Sequence, residues 1–182
     1  MRIAKELLAW GGSIFFGIAF ALFISIFVFQ PTKVLGSSME PTLKPNHHIY
    51  VSKLPRTFTY KPRIGDIVII DSRVNRARTW KDDLLDTPLF SMFKERHSHD
   101  VWVKRVIGLP GDTIMIKSNQ VYRNGQRLKE DYIKEAMFDT PDAHFVIPEN
   151  QIFVMGDNRN NSRDSREIGS IPIDHVLGVK IF

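Results

Sequence analysis

The chain has no cysteine among its 182 residues. This absence excludes disulfide bonds, a thiol nucleophile and a cysteine-ligated zinc site together. The chain also lacks a long stripe of basic residues. Its net charge of +5 comes from basic residues that are scattered among acidic ones. That pattern argues against nucleic acid as a partner. An anionic membrane surface is the simpler partner for the excess charge.

Charge is missing altogether from one long run, Leu7 to Phe29, which is dense in Phe, Ile, Leu and Ala. As a helix the run would extend about 35 Å, and the hydrocarbon core of a bilayer is about 30 Å thick. Gln30-Pro31 then stops the helix, because a proline disfavours helix in the residue before it. We therefore predict a single transmembrane anchor over residues 7–29.

A cleavable export signal is the alternative interpretation of this run. The apolar part of such a signal is usually about 7–15 residues long and ends at a small-residue cleavage site. Phe27 to Pro31 offers no such site, so a permanent anchor is preferred. Arg2 and Lys5 precede the run, which predicts a cytoplasmic N-terminus over residues 1–6 and an extracytoplasmic domain over residues 30–182.

The remainder of the chain lacks long amphipathic helices and is rich in strand patterns. Short apolar stretches are bounded by turn residues, and Asn124-Gly125 is a strong hairpin signal. The predicted strands are His48–Lys53, Ile67–Ile70, Val101–Ile107, Thr113–Lys117, Gln120–Arg123, Gln126–Leu128, Gln151–Met155 and His175–Phe182. Since no helices alternate with these strands, we predict a mainly β, antiparallel domain and not a parallel α/β sheet.

Residues 74–100 are the least regular part of this domain, because they mix charged side chains with large apolar ones. We predict an irregular insertion that packs on the sheet. Contact with the lipid surface is the alternative.

A serine nucleophile is suggested by Gly36-Ser37-Ser38-Met39, a small and flexible segment just after the uncharged run. A serine needs a base that can take its hydroxyl proton. Lys104 is the candidate, because strand alternation places it on one face with Trp102 and Val106. Loss of hydration in such a setting lowers the pKa of the amine, which can then accept a proton. A lysine that extends to solvent from a sheet edge is the alternative.

A dense polar segment, Gly156 to Arg166, follows the predicted strand Gln151–Met155. It contains three arginines, three asparagines, two aspartates and two serines. Composition alone favours a solvated loop with local ion pairs. The same density of polar groups can also form a hydrogen-bonded wall beside an active site.

Together these segments resemble bacterial type I signal peptidase, the serine–lysine protease that removes signal peptides from exported proteins. Ser38 to Leu43 is similar to the nucleophile segment of the family, and Lys104 to Asp112 to its base segment. Gly156 to Arg166 is similar to a third segment and Pro62 to Val68 to a further shared strand. The single anchor and the short interval between Asp112 and Gln151 resemble the compact Gram-positive form.

The resemblance implies a role for each matching residue. Ser38 would be the nucleophile, Lys104 the general base and Ser162 the residue that hydrogen-bonds and orients the lysine. Asp164 and Arg166 would form a supporting ion pair. The family fold implied is a β-rich catalytic domain whose apolar edge meets the membrane.

The oxyanion hole is only partly assigned by the resemblance. The backbone N–H of Ser38 would be one donor. A serine hydroxyl supplies the second in one branch of the family, but Gly36 occupies that position here, so the resemblance assigns no second donor. Asn46-His47-His48 also departs from the family pattern, at a turn that carries no assigned catalytic role.

The implied function is a membrane-bound serine endopeptidase that cleaves N-terminal signal peptides from exported preproteins by a Ser–Lys dyad. Its partners would be those signal peptides and membrane lipid, at the cell membrane and near the protein export machinery. The resemblance implies neither a metal nor an organic cofactor.

Six histidines offer the main alternative chemistry: His47, His48, His97, His99, His144 and His175. Neighbouring histidines in a strand point to opposite faces, which suits no single ion, and His97 and His99 have no carboxylate cluster at ligand spacing. A Ser-His-Asp triad stays open, because triads assemble in space and not in sequence. An inactive membrane-tethered binding protein and a peptidase dedicated to one pilus or conjugation precursor also stay open.

Overall fold

A computed structural model describes residues 2–53, 61–76, 79 and 100–181 of the chain. A helix of 26 residues, α1 (Arg2–Phe27), comes first. It ends before the uncharged run does, and Phe29, the last residue of that run, already belongs to a strand. Within the described residues, no helix is long and apolar enough to cross a membrane.

Eleven strands among the described residues form two sheets in which every pairing is antiparallel. They are β1 (Phe29–Lys33), β2 (His48–Ser52), β3 (Ile67–Asp71), β4 (Val101–Gly108), β5 (Thr113–Lys117), β6 (Gln120–Arg123), β7 (Gln126–Arg127), β8 (Ala143–Val146), β9 (Gln151–Met155), β10 (Ile171–Pro172) and β11 (Val176–Lys180). The larger sheet has the order β1-β2-β11-β3-β4-β9-β10, and the smaller one has the order β7-β6-β5-β8. The prediction of a mainly β, antiparallel domain is therefore confirmed.

All eight predicted strands form, with ends that differ by at most two residues. The hairpin turn between β6 and β7 has positive φ at both Asn124 (52°) and Gly125 (78°), as a tight two-residue turn of this kind requires. Three strands, β1, β8 and β10, were not predicted. Strand β1 was not predicted because it contains Pro31, which has no backbone N–H to donate. A proline is tolerated in a strand only at places such as a sheet edge, and β1 lies at the edge of the larger sheet.

Short helical elements follow β9 and β10. They are a 3-10 turn at Arg159–Asn161, helix α2 (Ser165–Ile168) and a 3-10 turn at Ile173–His175. The predicted insertion over residues 74–100 lies outside the described residues except at 74–76, 79 and 100. It stays a prediction.

The larger sheet places β4 between β3 and β9. One of its faces buries apolar side chains that include Val106 and Val154, while Ile107 and Phe153 pack with the smaller sheet. A third cluster lies under the segment between β1 and β2 and includes Met39. Because β4 is covered on both faces, its central residues are held in a dry and rigid setting.

Candidate active site

Ser38 lies in a compact turn between β1 and β2. Backbone hydrogen bonds close this turn, from Glu40 N to Ser37 O (3.1 Å) and from Leu43 N to Met39 O (2.8 Å). The side chains of Met39 and Leu43 are buried in the third apolar cluster. Burial on the C-terminal side of Ser38 therefore fixes the position of this serine relative to the sheet.

Lys104 lies in the middle of β4 with only 3% of its surface exposed. Its amine Nζ donates to Ser38 Oγ at 2.7 Å, across 66 positions of sequence. Among the described residues this is the one hydrogen bond of the amine. The Trp102 ring centroid is 5.6 Å from Nζ, and Val106 is fully buried nearby on the same strand, which agrees with the predicted face.

Burial lowers the pKa of Lys104 from 10.5 to about 8. Desolvation is the largest cause, because it penalises the charged amine. The negative charge of Asp164 opposes the shift, and the positive charge of Arg166 adds to it. The neutral amine, which proton acceptance requires, is therefore far more populated near physiological pH than in an exposed lysine.

Asp164 is fully buried in the polar segment after β9. Its carboxylate accepts hydrogen bonds from Gly156 N (3.0 Å), Ser162 Oγ (2.7 Å) and Arg166 Nε (2.8 Å). Burial alone would raise the pKa of Asp164, but the hydrogen bonds and the charge of Arg166 outweigh it and lower that pKa. Asp164 also caps the N-terminus of α2, so one carboxylate organises the whole segment.

Ser162 was predicted to contact Lys104. Among the described residues its hydroxyl is bonded instead to Asp164 Oδ2, with a longer contact to Arg163 O at 3.5 Å. Gly156 brings it close to the nucleophile: a Cβ at this glycine would lie 2.3 Å from Ser162 Oγ and 2.5 Å from Ser38 O. Ser162 and the backbone of Ser38 thus meet in the space that a side chain at residue 156 would occupy.

The polar segment also forms hydrogen bonds to the turn that carries Ser38. Asn158 N donates to Ser38 O at 2.9 Å, and Asn158 Nδ2 to Ser37 O at 3.2 Å. Asn161 Nδ2 donates to Ser37 Oγ at 3.0 Å. The backbone N–H of Ser38 itself donates to no acceptor in the described part of the chain, so it is available to an incoming group.

A buried ion pair beside the dyad was missed by sequence reasoning. Arg105 donates through Nε (2.8 Å) and Nη2 (2.6 Å) to the carboxylate of Asp157, which is fully buried. Thr42 Oγ1 also donates to this carboxylate, at 2.5 Å. Asp157 thereby joins β4 to the turn of Ser38. Its partners lie 52 and 115 positions away, and no local pattern signals contacts of that range.

No hydrogen bond joins Ser38 to any of the histidines that the structure describes. His47, His48 and His144 are exposed, whereas His175 is buried, with Nδ1 3.1 Å from Asp71 O. Among the described residues no group of three or more His, Asp or Glu side chains could hold a metal ion. His97 and His99 lie outside the described residues.

A family model and the sequences of known proteins point to one family. Residues 7–182 match the family model described as signal peptidase, peptidase S26. The chain is 37% identical to signal peptidase I S of Bacillus subtilis strain 168, over 98% of this chain and 89% of that protein. It is 34% identical to probable signal peptidase I-1 of Synechocystis sp., over 91% of this chain and 76% of that protein. The crystal structure of a signal peptidase I from Enterococcus faecalis V583 aligns at 28% identity with a TM-score of 0.46, over 65% of this chain and 96% of that one.

Gly156→Ala is expected to reduce cleavage of a signal-peptide-bearing precursor by about 100-fold, the cost of misplacing reacting groups by about 1 Å. The new Cβ would collide with Ser162 Oγ and with the carbonyl of Ser38, and the serine turn would have to shift. The measurement is kcat/KM together with Tm.

Gly36→Ala is the matched control, because a Cβ at Gly36 meets nothing within 4 Å. It carries the same substitution two residues from Ser38 and should keep most of the activity. If Gly156→Ala keeps as much activity as Gly36→Ala, the close packing around Gly156 is not needed for cleavage.

Proposed function

The chain belongs to the signal peptidase family, peptidase S26, and we propose that it removes N-terminal signal peptides from exported preproteins with Ser38 and Lys104 as its catalytic pair. The observation that carries the proposal is the 2.7 Å hydrogen bond between Lys104 Nζ and Ser38 Oγ. The lowered pKa of Lys104 supports it, because a nucleophilic serine needs an unprotonated base within hydrogen-bond reach.

In the proposed reaction, Ser38 Oγ attacks the carbonyl carbon of the scissile peptide bond while neutral Lys104 accepts the hydroxyl proton. The developing oxyanion accepts a hydrogen bond from the backbone N–H of Ser38, which has no other acceptor in the described residues. A preorganised donor of this kind contributes about 3–4 kcal/mol in serine proteases. The second donor is left unassigned, since Gly36 has no hydroxyl.

Collapse of the tetrahedral intermediate breaks the C–N bond. Lys104 gives its proton to the leaving amine of the mature protein, and the signal peptide stays attached to Ser38 as an ester. Water then attacks this ester, with Lys104 again as proton acceptor and donor, and frees the serine. The steps need only groups of this chain and water.

The proposed supporting roles follow from the contacts of Asp164. It holds the Ser162 hydroxyl and the Gly156 N–H, and the absence of a side chain at Gly156 lets Ser162 Oγ and the Ser38 carbonyl approach the same space. Arg166 neutralises the carboxylate through two hydrogen bonds. We assign Ser162 an orienting role through this packing.

We propose that residues 7–29 act as a membrane anchor, with residues 1–6 in the cytoplasm and the β-rich domain outside. The support is the uncharged run in the sequence and the basic residues that precede it. Such an anchor would keep the enzyme and membrane-bound precursors in one plane and raise their effective concentration.

Ser38→Ala, Lys104→Ala and Lys104→Arg are each expected to lower precursor cleavage by at least about 100-fold, the lower end of what a positioned base contributes. Arginine fails because a guanidinium remains protonated and cannot take the serine proton. Ser37→Ala is the matched control and should keep much of the activity. Substantial cleavage by folded Lys104→Arg, or equal loss in the two serine variants, would contradict the assignment.

The pH dependence gives a separate test of Lys104. Because the active form is the neutral amine, kcat/KM should fall about tenfold per pH unit below the pKa of about 8 and level off above it. The profile is measured for the wild type and for a variant in which all six histidines are replaced. An acidic limb that vanishes in an active histidine-free enzyme would assign the ionisation to a histidine.

Removal of residues 1–27 tests the proposed anchor, and the cut is placed there because β1 begins at Phe29. The truncated protein should cleave soluble peptides as the full chain does but lose efficiency on precursors in liposomes. Equal activity on liposome-bound precursors would count against the anchoring role.

A further inference from the structure

A group of partly buried side chains beside the dyad has no part in the reaction proposed above. It lies on the segment 128–142, which connects β7 to β8 in the smaller sheet. We propose that Tyr132, on this segment, is a positioning residue for the Ser38–Lys104 dyad: its ring stacks on Arg105 and holds the Arg105–Asp157 pair in place. The inference rests on the proposed function, since it concerns the same site.

The contact that carries the inference is the stack between Tyr132 and Arg105. The guanidinium carbon of Arg105 lies 4.2 Å from the ring centroid. The side chain of Arg105 is only 12% exposed, and its guanidinium makes two hydrogen bonds to Asp157. A flat aromatic face suits a guanidinium in this state, because it covers the apolar faces of the plane and leaves the donors at the edge free.

Tyr132 is itself held by a second buried pair. Its hydroxyl donates to Glu130 Oε1 at 3.0 Å, and the Glu130 carboxylate accepts from Arg159 Nη1 at 2.9 Å and from Nη2 at 2.5 Å. The side chain of Arg159 is fully buried and that of Glu130 is 9% exposed. Arg159 Nε also donates to Gly156 O at 3.1 Å. The ring thus stands between two buried arginine–carboxylate pairs.

The hydroxyl of Tyr132 remains a donor across the working range of the enzyme. Burial raises its pKa, and the negative charge of Glu130 raises it further. The hydroxyl of Tyr132 therefore stays protonated while Lys104 titrates, and the ring acts on the dyad through its packing on Arg105.

Two routes lead from the ring to the reacting atoms. Arg105 follows Lys104 directly in β4, so the orientation of one side chain constrains the backbone of the other. Asp157, the partner of Arg105, also accepts from Thr42, which lies in the turn of Ser38. Loss of the stack would let Arg105 tilt and so loosen both sides of the 2.7 Å contact between Lys104 and Ser38.

The test separates the ring from the hydroxyl. Tyr132→Phe keeps the stack on Arg105 and loses only the bond to Glu130, whereas Tyr132→Leu loses the flat face. The kcat of Tyr132→Leu should fall by about 10–100-fold, the range expected for a misplaced reacting pair, with KM little changed. Tyr132→Phe should stay within about threefold of the wild type, because a single hydrogen bond contributes modestly.

The acidic limb of the kcat/KM profile is the readout that loss of stability alone would not move. Loosened packing admits water to Lys104, so the limb of Tyr132→Leu should shift to higher pH, while that of Tyr132→Phe stays in place. Tyr122→Leu is the matched control: Tyr122 lies in β6 of the same sheet, and its hydroxyl bonds to Gln120. It should leave kcat and the limb unchanged.

Each outcome decides the matter. An unchanged kcat and limb in folded Tyr132→Leu, or equal losses in the Leu and Phe variants, would overturn the positioning role. If Tyr132→Leu does not fold, Tyr132→Met and Arg105→Lys remove the same stack. An unchanged kcat in either variant that folds overturns the positioning role as well. Failure of all three variants to fold assigns the contact to stability and rejects the positioning role. Ser38→Ala and Lys104→Ala run in parallel, and activity in those variants would instead defeat the proposed function.

Discussion

Burial of one amine, that of Lys104, is the constraint on which the rest of the site depends. A lysine in β4 with 3% exposure loses the hydration that stabilises its charge, and its pKa falls to about 8. A carboxylate paired with it would return the proton and remove the base. Asp164 is near enough to raise that pKa, but its oxygens are occupied by Arg166, Ser162 and Gly156 N. The arginine therefore does more than stabilise a loop, because it occupies the carboxylate that most strongly favours the charged form of the amine.

The topology explains how three distant segments meet at this amine. β4 pairs with β9, and Arg105 lies opposite Met155, the last residue of β9. The polar segment starts at Gly156, so the strand pairing delivers it directly beside the base. Ser38 arrives from the other end of the chain, on a turn whose apolar residues are buried beside Ile69 of β3. Sheet pairing and apolar burial thus set the approximate positions of the three segments. Hydrogen bonds around Gly156 then bring the turn of Ser38 and the polar segment into contact.

The elements that could be predicted from the sequence were those with a local signal. Turn residues marked strands such as β3, and alternation in β4 placed Lys104 on the face of Trp102. The pairing of Arg105 with Asp157 had no such signal, because it joins residues 52 positions apart, and Tyr132 lies in an irregular segment without periodicity. The predicted contact of Ser162 with Lys104 came from the resemblance alone, and the hydroxyl is bonded to Asp164 instead. Local sequence patterns predict the strands, whereas the supporting contacts of a site depend on tertiary packing.

The segment 128–142 contributes one exposed and one buried ion pair near the dyad, and their burial decides which pair contributes more to stability. Lys134 pairs with Glu40 at 2.8 Å, but its side chain is 45% exposed, and exposed pairs of this kind contribute about 0–1 kcal/mol. The Glu130–Arg159 pair is almost fully buried, so removal of one partner would strand a charge in a dry interior, which typically costs about 3–5 kcal/mol. Of these two ion pairs, the buried one beside Tyr132 therefore contributes more to holding the segment 128–142 against the site than the surface pair does.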